Sequence, residues 1–584
     1  MDLGNRESGD KTDLIFLLTV ILTYTSVFTF LSYLRYADFY TFNWDLGINQ
    51  QLLWSGSHGY LLYESANYVH AGQYSFLEIH STFIALGISW IYYVFPSAIT
   101  LFVIQSLVIS ACSVPLLLIV RDLGLKRHAT YLVVVFFLLN FGTISALFYD
   151  FHWEAFIPLE FFSAYYFMSK KRYFYAFLVS ILGIFTLEVF PFLFFGLTLF
   201  FLSERQGLFR NLIAQVRTRE VQILAIFLVW SVLSYVLIRF LQNVVIPILV
   251  HQSYSPSDVT AQVSMLFVLS VSYNSLAQVS LYWMLLYLSV GFIALLYPRH
   301  LLLSLPWLVN TFLIMPSFAA AFGNQYAFIA LPPVFIGFIH GFLRFRERWT
   351  DIFPIIVVVA SLATVLFALS LYGSGSYLFL SLQSVTANLQ VAAICAVVLV
   401  VTISTFLMNR SGKWLNFRFT SRLRIFRKKS APAVALLGSL ILLSLVLSPL
   451  NTNNFNATNM PGYLFTYSYN NEFRYVGEFT SIIPDNSTVL ASDNLFPYVA
   501  NNVNAFSLYW FPFNRTNYPY FPYNSTNLPE YVFVDASYYF LPAFLERDLK
   551  DSSTYGLVME HPSNEFPGTI YLYQLGYTGP TKIL

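Results

Sequence analysis

Residues 14–34, LIFLLTVILTYTSVFTFLSYL, run without a charged side chain up to Arg35. A bilayer core of ~30 Å takes about 20 apolar residues to cross, so the stretch predicts a membrane-spanning helix. It is longer than a signal-peptide core and no small-residue cleavage site follows it, so it reads as a retained helix with its N-terminus inside. The rest of the chain repeats the pattern. Of its 584 residues 57% are hydrophobic, 19% aromatic and 10% charged, which excludes an ordinary soluble globule. Apolar spans near 14–34, 98–120, 129–147, 156–169, 174–188, 190–202, 221–241, 278–297, 301–316, 326–343, 352–372, 391–408 and 431–449 give roughly thirteen crossings. The stretch 80–95 reads as a short interfacial or re-entrant helix. Glu188 and Pro191 interrupt the region 174–202, and such a break needs to be buried in protein or to line a cavity.

Charge placement orients the bundle. The net charge of +2 says little, whereas the clusters Arg121/Lys126/Arg127, Lys170/Lys171/Arg172, Arg205/Arg210/Arg217/Arg219, Arg299, Arg344/Arg346/Arg348 and Arg410 to Lys429 all fall on one side. Cytoplasmic loops accumulate Lys and Arg, so the N-terminus is expected in the cytoplasm and the C-terminal segment outside the cell membrane. Cys112 and Cys395 lie in apolar runs, which leaves no disulfide framework and no cysteine metal site. Nothing in the composition points to nucleic acid.

Near residue 450 the long apolar runs end. Residues 1–449 are therefore read as a transmembrane domain and 450–584 as an extracytoplasmic one. The tail carries four Asn-x-Ser/Thr sequons, at Asn456, Asn486, Asn514 and Asn524, which suit an exposed, glycosylated surface. Residues 488–491, 495–500, 505–510, 531–535 and 569–574 read as strand, helix, strand, strand, strand. A small α/β domain of about 130 residues results.

Ionisable residues at membrane depth are costly unless they face one another or a polar cavity, and they mark candidate sites. The densest group is Asp150-Phe151-His152-Trp153-Glu154, at the outer end of a predicted span. Its three polar members could cap a helix idly, line a cavity and orient a substrate, or hold a metal through oxygen and nitrogen ligands. The last reading leaves a divalent cation open as a cofactor and does not name it. Glu188 needs a partner or a proton, with His152 and Arg239 as reachable partners. The external loop 35–79 adds Asn43-Trp44-Asp45-Leu46-Gly47 and the residues to Trp54, which predict a short amphipathic helix on the membrane surface. Asp45 opens it. It serves either as a helix N-cap or as a general base at the mouth of a cavity, and the two roles are compatible. Glu78 and His80, at the end of this loop, are candidates to close the same pocket as the Asp150–Glu154 group and to bind substrate or phosphate.

The order of these features resembles an uncharacterised family of archaeal and bacterial multi-pass membrane proteins, a domain-of-unknown-function family. The resemblance rests on Asp45-Leu46-Gly47 with Gln50 and Trp54, on Glu78-Ile79-His80-Ser81 before Phe95-Pro96-Ser97, on Asp150 to Glu154, and on Leu305-Pro306 and Gln325-Tyr326. That family is similar in layout to GT-C glycosyltransferases, which use lipid-phosphate-linked sugars on the outer side of the membrane. The resemblance implies a GT-C-like helical membrane fold, a lipid-linked sugar donor and Asp45 as catalytic base. Where a Lys-Glu-Asp-like triplet is expected in the fifth helix, this chain has Leu187-Glu188-Val189, which keeps only the central acid.

Such transfer needs cations for the departing phosphate, and Arg35 and Arg239 are the basic residues at outer helix ends. The alternative for both is an interfacial anchor. Trp44, Trp54 and Trp153, near the acids, are candidate sugar-stacking residues. A transporter or lipid-handling protein is the second reading of the chain, although no internal repeat of the kind transporters carry is visible. A non-catalytic surface-assembly protein is the third.

Overall fold

The computed structural model describes residues 3–148, 150–204, 218–250, 273–313, 325–347, 431–448, 469–508, 518–537, 543–550, 554–563 and 567–584. Four described helices are long and apolar enough to span a bilayer: Asp10–Ala37, Ala98–Asp122, Arg219–Val250 and Ala327–Glu347. A fifth span results if Arg127–Leu138 and Phe141–Leu147, bent by 40° at their junction, count as one. Of the roughly thirteen apolar runs expected from hydropathy, the described residues form these four or five long spans together with shorter apolar helices. The expected spans at 352–372 and 391–408 lie outside the described residues. Elsewhere the apolar runs are divided into shorter helices, Ile157–Ser169, Tyr173–Thr186, Phe190–Ser203 and Leu301–Leu313.

The divisions have local causes that hydropathy does not register. Asn140 accepts a hydrogen bond from the Gly142 amide and donates to the Ser289 carbonyl, so its side chain ends one helix, starts the next and ties the corner to a neighbour. At Leu187 the backbone turns extended, and Pro191 opens the following helix. The break at 187–189 aims Glu188 at the loop before residue 84, where it meets His80 and Ser81.

The tail forms a six-stranded sheet. Its strands are β1 (Val489–Ser492), β2 (Ala505–Leu508), β3 (Tyr531–Asp535), β4 (Tyr555–His561), β5 (Ile570–Leu575) and β6 (Lys582–Ile583), in the order β2-β1-β3-β5-β4-β6. β1 pairs in parallel with β2 and β3, and β5 is antiparallel to β3 and β4. β1, β2 and β3 are buried along their whole length, as parallel strands covered on both faces should be. The short helix expected at 495–500 is a 3-10 turn, Phe496–Tyr498. The helices Phe473–Ile482 and Ala543–Lys550 complete the unit.

This sheet sits directly on the loop that follows the first helix. Phe39 packs within the sheet's own core. Gln51 donates to the carbonyls of Asn502 and Ala505, Tyr92 to Asn501, and Tyr498 to the carbonyl of Tyr36. The loop is thus held between the membrane helices and the sheet. The expected surface-lying amphipathic helix is instead the helix Ile48–Ser57, in which Ile48 to Leu53 are all buried. An amphipathic pattern announces one apolar face, and here the polar face is covered as well.

Candidate functional site

Asp45 lies on a five-residue π turn, Asn43–Gly47, ahead of that helix. It does not serve as the N-cap: Phe42 precedes the turn and Gly47 the helix, and neither cap is a side-chain cap. The carboxylate instead faces His152, with Oδ1 2.9 Å from Nε2. Among the described residues Oδ2 takes no hydrogen bond, and the side chain is 15% exposed. The other ring nitrogen of His152 lies 3.3 Å from the carbonyl oxygen of Asp150. Both nitrogens face acceptors, so the doubly protonated imidazolium is the form these partners satisfy. Burial opposes its charge, but the adjacent Asp45 carboxylate prevails and raises the His152 pKa to about 8.

The segment that carries His152 is tightly held. Gln105 donates to the carbonyls of Leu147 and Asp150 and accepts from the His152 amide. Asn49 donates to the carbonyls of Asp45 and Phe151 and accepts from the Trp153 indole. Asn49 therefore couples the Asp45 turn to the 150–154 segment through both of its polar atoms. Asp150 has φ 89°, a conformation unusual for a non-glycine residue, and these bonds hold it there. Tyr149 lies outside the described residues.

Arg35 and Asp150 form a buried ion pair at 3.0 Å, with side chains 2% and 3% exposed. Arg35 neither snorkels as an anchor nor presents a cation at the surface, because it is committed below the site. Burial pushes the Asp150 carboxyl above its ordinary range although Arg35 opposes the shift. Glu188 accepts from the Ser81 amide at 3.1 Å and lies 2.9 Å from Nδ1 of His80. Burial works against the charged form of His80, and the Glu188 carboxylate outweighs it, so the imidazole pKa is raised. Glu154 is buried with its pKa raised by desolvation, against the nearby His152 and His80. Arg239, part-exposed, contacts the Tyr235 hydroxyl and Gln242, and its charge is felt at His80. Gln242 in turn donates to the Ile79 carbonyl.

The chain thus brings Asp45, Asp150, His152, Glu154, His80, Glu188 and Arg239 into one electrostatically connected group at the ends of membrane helices. Glu78 is elsewhere employed: its carboxylate accepts from the Tyr74 and Ser75 amides in a capping box. Trp153 is a core residue, 3% exposed. Trp54 lies tilted against His58, whereas Trp44, 36% exposed, stands beside Asp45 and against His70. Asn486 is exposed and Asn524 half-buried, while Asn456 and Asn514 fall outside the described residues. Among the described residues no group of three or more His, Cys, Asp or Glu is disposed to hold a metal ion. Asp150, His152 and Glu154 do not converge as a ligand set, since Asp150 turns to Arg35 and His152 to Asp45.

Four participants were not singled out as site residues from the sequence. Asn49 and Gln105 are uncharged and give no signal before their partners are known. Tyr326, at the start of the span Ala327–Glu347, stands near Glu154, Asp45 and Glu188. Asp493 comes from the sheet and approaches Asp45 from the opposite side, its pKa raised to about 7 by burial.

Fold and site together define a helical membrane protein with a polar, partly open group of carboxylates, imidazoles and one part-exposed guanidinium beneath a small α/β sheet. The chain belongs to the family described as "Predicted membrane protein (DUF2079)", whose model matches residues 35–384 and 365–555. Among solved structures it is similar to the apo crystal structure of ArnT from Cupriavidus metallidurans, at 10% identity and a TM-score of 0.49, over 96% of this chain and 99% of that one. No curated protein matches the chain.

Proposed function

We propose that the protein is a GT-C-type glycosyltransferase that moves a sugar from a polyprenyl or dolichyl monophosphate to an acceptor hydroxyl on the extracytoplasmic face. The observation that carries this reading is the Asp45–His152 pair, a carboxylate with one oxygen held and the other without a hydrogen bond among the described residues, its side chain 15% exposed. Asp45 takes the proton of the acceptor hydroxyl as its oxygen attacks the anomeric carbon. The bond from that carbon to the phosphate oxygen breaks, and the lipid phosphate leaves with the electron pair.

The departing phosphate needs positive charge nearby. Arg35 is neutralised by Asp150, so Arg239 is the guanidinium at the site that is not paired with a carboxylate among the described residues. One such cation, aided by the imidazolium of His80, suits a monophosphate carrier better than a diphosphate. Glu188, 2.9 Å from Nδ1 of His80, favours that charged form. The test supplies membranes containing the protein with hexose-linked polyprenyl monophosphate or diphosphate. The monophosphate should be consumed, and Arg239→Ala should raise its KM by about tenfold, the loss of ~1.4 kcal/mol from one charge-assisted contact. Consumption of the diphosphate alone would contradict the donor assignment.

A further inference from the structure

The sheet meets the turn that carries Asp45 at the carboxyl end of β1. There the Asn43 amide, which opens the turn carrying Asp45, donates to the Asp493 carbonyl at 3.2 Å and to its Oδ1 at 3.3 Å. The Ser507 hydroxyl of β2 donates to the same carboxylate oxygen at 3.3 Å. Two residues past Asp45, a Cβ on Gly47 would come within 2.6 Å of the Phe496 ring. The turn is therefore clamped from the sheet side by a carboxylate and a ring, as Asn49 and His152 hold it from the membrane side. Asp493 is 2% exposed. A buried carboxyl is costly unless it is hydrogen-bonded, and the Asn43 amide and the Ser507 hydroxyl supply those bonds to Asp493.

We infer that Asp493 is a positioning residue of the site: it fixes the Asn43–Gly47 turn and thereby sets the Asp45 carboxylate against His152. The role assigned to Asp45 above is the basis for calling this positioning rather than packing. The sheet is then a working part of the site and not an appendage to the helices. Proximity of this kind matters because an error of about 1 Å in a reacting group costs rates of order 100-fold.

Hydrogen exchange on the purified full chain in detergent tests the contact without any substrate. In Asp493→Ala the amides of Asn43–Gly47 should exchange about three- to tenfold faster, while Asp493→Asn, which keeps an acceptor oxygen, should stay near wild type. Ser507→Ala removes one donor to the same carboxylate and should loosen the turn in the same direction, which keeps the test open should Asp493→Ala fold poorly. Unchanged exchange at Asn43–Gly47 in every folded variant overturns the inference. Turnover of polyprenyl-monophosphate hexose gives the second arm: Asp493→Ala should lower kcat by about 10- to 100-fold with KM held within about threefold, and Asp493→Asn should restore it. Full turnover by Asp45→Asn would defeat the base assignment and leave the exchange result standing. Loss in Asp45→Asn with full turnover in Asp493→Ala would defeat the positioning role alone.

Discussion

Asp45 shows how far a residue's role depends on what faces it. In the sequence it is an acid before an amphipathic run, equally suited to capping and to catalysis. The π turn removes it from the cap position, and His152, 107 residues away, takes its oxygen. No local pattern encodes that pairing: each segment is a candidate by itself, and the partner expected for His152 is Glu188, which meets His80 instead. The pair makes the protein sensitive to pH. The imidazole titrates at about 8 in the folded chain, above the ~6.5 of an unfolded one, so the stabilisation it draws from Asp45 is complete below about 6.5 and is lost as pH rises through about 8. Activity, followed as donor consumption, should decline over that upper range, and His152→Gln should abolish this limb of the profile. A profile flat to pH 9 would count against a cationic His152. Arg35 and Asp150 act differently, since their pair is sealed from solvent. Asp150→Ala leaves a buried guanidinium and should cost about 3–5 kcal/mol, read as a lower melting temperature, while Arg35→Met combined with Asp150→Leu should recover much of it.

At the scale of elements, apolar runs locate helices well and their interruptions poorly. The first helix and the span at Ala98–Asp122 follow directly from hydropathy. The break at Asn140 depends on a side chain bonding to Ser289, and that contact exists only once the bundle is packed. Glu188 and Pro191 were visible as a break, and it is this break that delivers Glu188 to His80. Within the tail the strands at 489–492, 505–508, 531–535 and 570–575 coincide with short apolar runs, whereas β4, opened by Tyr555-Gly556 and closed by Glu560-His561, has no counterpart among the strands expected from the sequence. Close helix packing shows the same dependence on context. Gly341 abuts the carbonyl of Ile293, and a Cβ there would collide with backbone that has no freedom to move. Gly341→Leu should therefore destabilise the protein by about 1–3 kcal/mol or more, seen as loss of folded protein in detergent. The exposed Gly87, where a Cβ meets nothing within 4 Å, provides the control: Gly87→Ala should be tolerated.

On the scale of the whole molecule, the site lies where the membrane helices, the loop after the first helix and the sheet converge. On the expectation that the basic clusters of the sequence mark the cytoplasmic side, the sheet and the site should be extracytoplasmic. In a host that modifies Asn-x-Ser/Thr sequons, Asn486 and Asn524 should carry glycans, and Asn486→Gln should remove one glycan as a discrete mobility shift. Protection of a tag at residue 584 from external protease in intact cells would contradict this orientation. Under the proposed function the division of the chain has a reason: the helices would hold the lipid-linked donor, and the sheet would fix the turn that carries Asp45. The most direct measurement of the central claim follows transfer of labelled hexose from polyprenyl monophosphate in membranes with matched amounts of wild-type protein and Asp45→Asn. Transfer in the variant should fall by about 10²–10⁴-fold, with folded protein and donor binding retained. Equal transfer by the two proteins would contradict the account.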